Sequence, residues 1–267
     1  MEIIGTTGFQ IINYSMHSPV KFLLIIFCFF GSTVLFAQQN KINVKRTDDF
    51  TVTGDGSNKA WNTAVWNTIT QRSSATLKME NWYITDDRLK INDLQYQTQF
   101  KILYSDKGIY CLFYCEDSAI TSTIKEDFGD LFNEDVVEAF FWPDTSRVIY
   151  FEYELSPMNY ELPLIIFNNN GNANGWLPFY YKNGRKTDHA INISNNKITK
   201  ELFTWTAEFF IPYTLLSSLK NIPPQKGMQW RANFYRIDYD QQPVFSSWQL
   251  TRESYHDPEK FGVIEFE

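Results

Sequence analysis

Three observations predict an all-β chain, specifically an antiparallel β-sandwich of jelly-roll or immunoglobulin-like type with one short helix. Apolar and polar residues alternate with period two through most of the sequence beyond residue 40. The alternating runs are rich in Phe, Tyr, Val and Ile, the residues that fit a pleated, half-buried surface. Turn-forming Asp, Asn, Ser, Gly and Pro punctuate them at regular spacing, the pattern of a sandwich and not of a parallel sheet.

The segment before those runs is read separately. Lys21 precedes an unbroken apolar stretch, 22–30, which gives way to small residues and Ala37 before Gln38-Gln39-Asn40. A basic start, a short apolar centre and a small-residue end make a secretory signal. The apolar centre falls short of the roughly 20 residues a membrane span needs. Cleavage is expected near Ala37, with Met16 as an alternative start, leaving 38–267 as one sandwich domain and a secreted, periplasmic or outer-surface protein.

The strand runs are 99–104 and 108–116, joined by Ser105-Asp106-Lys107, then 135–142 and 147–155, joined by Pro143-Asp144-Thr145-Ser146. Runs 189–193 and 203–210 follow, then 229–237, 245–250 and 261–266. The one predicted helix opens at Pro212 and closes before Pro223-Pro224, with Leu215, Leu216 and Leu219 as its apolar residues. The Asn- and Gly-rich stretch 168–176 reads as a loop ending in Trp176. Trp205, Trp230 and Trp248 alternate within runs and are assigned to the core. Cys111 and Cys115 lie about 13 Å apart along one strand, beyond the reach of about 7 Å for a disulfide, and are expected to be small buried residues.

Charge and motif content exclude whole classes of function. The 267 residues carry a net charge of -7, and the signal leaves this unchanged because Glu2 and Lys21 cancel. An acidic chain is a poor partner for nucleic acid or an anionic membrane surface. With three histidines and three cysteines in all, no HExxH, no GxSxG and no tetrahedral Cys/His cage is present. Carboxylates are plentiful at Glu134, Asp135, Glu138, Glu152 and Glu154, but none forms a marked pair for glycoside hydrolysis. The aromatic content of 17% is mostly strand and core. A few rings near loop ends, Trp82, Phe132, Trp142, Trp176 and Tyr255, have the equipment for sugar: a flat apolar face beside carboxylate, amide and guanidinium groups.

Three segments, in order, carry a resemblance: 132–140 with Asp135, Val137, Glu138 and Phe140; 205–212 with Trp205, Glu208, Ile211 and Pro212; and 254–262 with Asp257-Pro258 and Phe261-Gly262. Together they resemble the family 9 carbohydrate-binding modules, non-catalytic β-sandwiches found beside polysaccharide-degrading enzymes. The resemblance implies a sugar clamped between Phe132 and Tyr255, where the family carries tryptophans, with Glu138 holding its hydroxyls. The family's Arg and Asn donors on the following strand fall near Glu152 and Glu154, so Arg236 or Asn159 would have to replace them. Trp176 and Arg236 complete the expected binding set. The resemblance also implies structural calcium, for which Asp117, Asp127 and Asp130 are the expected ligands, and carbohydrate-active enzymes as partners. The alternatives are a scaffold or adhesion sandwich that has lost sugar binding, a glycoside hydrolase, and a haem module using Met158 with His189 or His256.

Overall fold

The computed structural model describes residues 41–72, 78–79, 82–83, 96–169, 172–194, 198–199, 201–240, 243–251 and 254–267. The predicted signal lies outside the described residues, as does the side chain of Trp82. Contacts divide the chain into Met1–Gln38 and Gln39–Glu267, and the second unit is the sandwich.

Its strands are β1 Lys41–Arg46, β2 Asn67–Ile69, β3 Gln71–Arg72, β4 Lys78–Met79, β5 Trp82–Tyr83, β6 Thr98–Tyr104, β7 Gly108–Asp117, β8 Val136–Trp142 and β9 Ile149–Leu155. There follow β10 Glu161–Asn169, β11 Asn172–Pro178, β12 Asp188–Ile193, β13 Phe203–Pro212, β14 Gln229–Asp238, β15 Val244–Ser247 and β16 Gly262–Phe266. One sheet runs β11-β10-β9-β8-β14-β16 and the other β6-β7-β13-β12. Strand β1 joins them: Lys41 to Val44 pair parallel with β16, and Lys45 and Arg46 pair parallel with β6. The predicted hairpins β6/β7, β8/β9 and β12/β13 are all antiparallel ladders.

Alternation within the strands fills the space between the sheets. Phe100 and Ile102 of β6, Cys111, Phe113 and Cys115 of β7, Val137, Ala139 and Phe141 of β8, and Trp205, Ala207 and Phe209 of β13 form one buried cluster with Trp230, Phe234 and Trp248. The three tryptophans are thus core as expected, and both cysteines are buried free thiols. Burial raises both thiols well above their ordinary range.

Each sheet also has an apolar outer face. On the second sheet, Trp61, Leu103, Tyr110 and Leu112 pack together. Glu208 pins the covering segment there by accepting from Trp61 Nε1 at 2.7 Å and from the backbone N–H of Thr53 and Gly54 at 2.8 Å each. Gly54 has φ of 86° and would place a Cβ 2.9 Å from the backbone of Ala190 and Ile191, so no other residue allows this approach.

Two expectations are corrected. The predicted helix at Pro212 is not formed: β13 runs through Pro212, which pairs with Gly108, and a single 3₁₀ turn, Leu216–Ser218, follows. Leu215, Leu216 and Leu219 still bury against the core, so the apolar spacing reports burial correctly and the element type wrongly. The stretch read as a loop is a hairpin, in which Trp176 of β11 lies opposite Ile166 of β10. Among the described residues no helix is long and apolar enough to cross a membrane.

Candidate functional site

The outer face of the first sheet differs from that of the second by carrying carboxyl groups that lack donors, where Glu208 of the second is fully engaged. Because side chains alternate, the residues of β8 and β9 that do not enter the inter-sheet core project outward. They are Val136, Glu138 and Phe140 on β8, and Tyr150, Glu152 and Glu154 on β9. Register sets Glu138 directly opposite Glu154 on one side and Tyr235 on the other. Glu152 lies opposite Phe140. Two chain segments roof this face. One is the 3₁₀ turn Leu131–Asn133, and the other holds Tyr255, His256 and Phe261. Leu131, Phe140, Tyr150, Tyr235, Tyr255 and Phe261 form its apolar surround, with Phe132, Trp142 and Tyr239 half-buried at the margin.

The three glutamates are almost wholly buried, with Glu138 at 2% and Glu154 at 0% exposure. As carboxylates, both oxygens of Glu154 and Oε2 of Glu152 have no donor in reach. Glu152 and Glu154 instead meet each other, a contact that only a shared proton makes favourable. Burial, and then the Glu152 charge, pushes Glu138 far above the ordinary carboxyl range. Burial lifts Glu152 to about 8, and burial with the Glu138 and Glu152 charges holds Glu154 well above the ordinary carboxyl range. Among the described residues no Lys or Arg pairs with these three carboxyl groups. His256 sits with Nδ1 2.8 Å from the Tyr150 hydroxyl and 3.8 Å from Glu152 Oε2, but burial lowers its imidazole to about 4 and leaves it neutral at pH 7. The face therefore offers acceptors in excess, and a ligand rich in hydroxyl donors complements it.

The expected site residues are placed unequally. Phe132 and Glu138 both belong to this face. Tyr255 does too, but is 6% exposed, its ring stacked on Tyr235 at 4.0 Å. Its hydroxyl donates to the carbonyls of Arg236 at 2.8 Å and Ser246 at 3.0 Å. In this arrangement it supports the face from below and offers no open ring. Trp176 is on β11, 46% exposed, with β10 lying between its strand and the β9 carboxylates.

Arg236 is corrected outright. It points between the sheets, donating to Thr98 Oγ1, the Glu116 carbonyl, Asp117 Oδ2 at 2.9 Å and Asp238 Oδ2 at 2.7 Å. Both terminal nitrogens are spent on the core, and Nε is buried there without an acceptor. Tyr239, Glu152, Glu154 and His256 are the residues that the expected set omitted. Glu152 and Glu154 were legible as β9 positions on the Glu138 face, since 136–142 and 149–155 alternate in step.

The expected calcium ligands do not converge. Asp117 lies with Asp135 and Asp240, Asp127 with Glu161 and His189, each trio having ligand atoms within 4.8 Å of one another. Asp130 is in neither group. The first trio fits a hard cation. It supplies only oxygens, and Asp240 Oδ1 is buried without a donor. Arg236 is the basic residue paired with Asp117 there. Burial lifts Asp135 to about 7, and Asp117 to about 6 despite that pairing.

With this geometry in view, the similarities to known proteins are informative. The family model described as carbohydrate-binding family 9 matches residues 76–266. An extracellular protein of Arthroderma benhamiae is 27% identical over 154 residues, covering 52% of this chain and 63% of that protein. The chain thus spans less than two thirds of this curated relative. Among solved structures, a candidate carbohydrate-binding protein of Bacteroides uniformis superposes with TM-score 0.64 at 16% identity, over 86% of this chain and 100% of that one. A family 9 module of Caldicellulosiruptor kristjanssonii in complex with cellotriose gives 0.55 at 15% identity, over 85% and 94%. A family 9 module of the same organism in complex with glucose gives 0.54 at 16%, over 85% and 96%. At such identities the likeness is one of fold.

Proposed function

The chain belongs to carbohydrate-binding family 9, a family of non-catalytic modules, and on that premise we propose that the carboxylate-bearing outer face of its first sheet binds neutral sugars. The observation that carries this reading is the set of buried, donorless oxygens on Glu152 and Glu154 beside Glu138. Sugar hydroxyls would supply the missing donors, since protons shared among neighbouring carboxyl groups leave most of their oxygens as acceptors. Phe132 and Tyr239, half-buried at the margin, are the rings placed to meet the C–H face of a pyranose. Tyr239 lies close enough to Glu138 for the carboxylate charge to act on its phenol, and its hydroxyl donates to the Phe132 carbonyl at 3.2 Å. The glucose and cellotriose carried by family 9 modules of Caldicellulosiruptor kristjanssonii support a glucan-type ligand. The extracellular relative supports secretion, and with it a role beside polysaccharide-degrading enzymes.

Calorimetric titration with glucose, cello-oligosaccharides and xylo-oligosaccharides tests the reading. Binding is expected for at least one series, and Glu138→Ala should weaken it by about tenfold, the loss of one hydrogen bond between a buried carboxyl group and a sugar hydroxyl. Phe132→Ala should weaken it as well. The burial of Tyr255 favours a second reading, a scaffold sandwich without sugar affinity. Silence toward every sugar in the wild-type protein would establish that one instead.

We also propose that Asp117, Asp135 and Asp240 hold a structural calcium ion, which would supply the charge that this group of carboxylates lacks. Calcium added to chelator-treated protein at about 100 times its dissociation constant should raise the melting temperature by about 5–10 °C. Asp135→Asn should abolish that rise. An unchanged melting curve of the wild type with calcium rules the site out.

A further inference from the structure

A second cluster, on the edge of the sandwich away from the carboxylate face, has a different donor set. Asp127 comes from the segment between β7 and β8, Glu161 opens β10 in the first sheet, and His189 lies on β12 at the edge of the second. Each offers one ligand atom, and the three atoms lie within 4.8 Å of one another.

We propose that Asp127, Glu161 and His189 bind a divalent transition-metal ion of the zinc type. The imidazole is presented as a ligand: Nδ1 lies 3.0 Å from Asn159 Oδ1, so Nδ1 carries the hydrogen and Nε2 turns its lone pair inward. Nε2 stands 3.6 Å from Glu161 Oε1, too far for a good hydrogen bond. It is close to the separation of about 3.4 Å between two ligands of one tetrahedral zinc at about 2.1 Å each.

Glu161 is held as an outer shell would hold it. Tyr153 donates to Oε2 at 2.7 Å, Thr187 donates to the same oxygen, and Tyr181 donates to Oε1. Three hydroxyls fix this 1% exposed carboxyl without bringing any positive charge to it. Asp127 is exposed at the mouth and accepts from the Glu161 backbone N–H at 3.2 Å, which leaves a metal an entry path and an open position. A nitrogen ligand beside two carboxylates selects zinc-like ions over calcium. Since Glu161 comes from the first sheet and His189 from the second, the ion would brace the two layers together.

The test is a cobalt titration of the chelator-treated full chain. Stoichiometric appearance of visible d–d absorption, displaced by zinc and not by calcium, is expected. His189→Ala should remove the signal. Asn159→Gly, which keeps the left-handed backbone at φ 64° but deletes the orienting amide, should weaken cobalt by about 10–100-fold. Absence of the signal in wild-type protein overturns the site, as does an equal signal in His189→Ala or displacement of cobalt by calcium. Either outcome is independent of sugar binding and of the all-oxygen calcium trio, neither of which contains His189 or Asn159.

Discussion

Replacing Arg236 with methionine is expected to lower stability by about 3–5 kcal/mol, the usual effect of removing one partner from a buried ion pair. For a domain of this size that corresponds to a fall of roughly 6–20 °C in the melting temperature. The argument rests on position. The guanidinium is 2% exposed and meets two carboxylates, Asp117 and Asp238, within 2.9 Å. It also lies over the Trp205 ring, 5.7 Å from its centroid. Methionine would fill much of the volume and leave two buried carboxylates facing each other without a cation. Because the side chain lies between the sheets, sugar affinity measured on the folded fraction should stay unchanged. A loss of stability below about 1 kcal/mol in a thermal melt would contradict this role.

The opposite result is expected at Glu154. Its methionine variant should be more stable than wild type by about 1–4 kcal/mol at alkaline pH, while sugar binding falls by at least about tenfold. Glu138, Glu152 and Glu154 all hold protons more tightly folded than unfolded. The folded state thus binds more protons, and stability must decline as pH rises. That contribution is fully present below the unfolded value near 4.5 and is lost through the folded value of Glu152, about 8. Each tenfold difference in proton affinity is worth about 1.4 kcal/mol. Wild-type protein should therefore melt at a lower temperature at pH 9 than at pH 6, and Glu154→Met should flatten that slope. A variant that is destabilised at every pH with its slope intact would refute the assignment. If both halves hold, these carboxylates cost stability and are retained for what they bind.

Much of the fold was legible because two-residue periodicity is a direct imprint of a sheet with two environments. The runs 99–104, 108–116, 135–142 and 203–210 each fall within, or within a residue or two of, an observed strand. What escaped has a physical cause in each case. Glu161–Asn169 carries Pro163, which cannot donate to a ladder, and its junction with Asn172–Pro178, residues 168–175, is almost all Asn and Gly, so composition pointed to a loop. Lys41–Arg46 is short and its pairing partners, Gly262–Phe266 and Thr98–Tyr104, are remote in sequence.

The site was half legible for a related reason. Alternation put Glu138 on a known face, but the roofing of that face depends on how 131–133 and 254–261 fold back, which no local pattern encodes. Tyr255 thus looked like a platform and is a support. Arg236, which follows Tyr235, points to the opposite face, so its neighbours on the chain gave no hint of Asp117 and Asp238.

Strand β1 has a kinetic consequence. It is the only element among the described residues that hydrogen-bonds to both sheets through their shared margin, and it does so with partners about 220 residues apart from it on one side and about 58 on the other. Loop-closure entropy must be met before such remote pairing is rewarded, so topologies of this type fold slowly. Until Gly262–Phe266 is in place, Lys41–Val44 has no partner, and the margins of both layers present unpaired backbone groups open to strand addition from another molecule. A chain interrupted before β16 would therefore lose more than one strand: it would leave two half-built layers adhesive and unjoined, which makes aggregation the characteristic failure of this architecture.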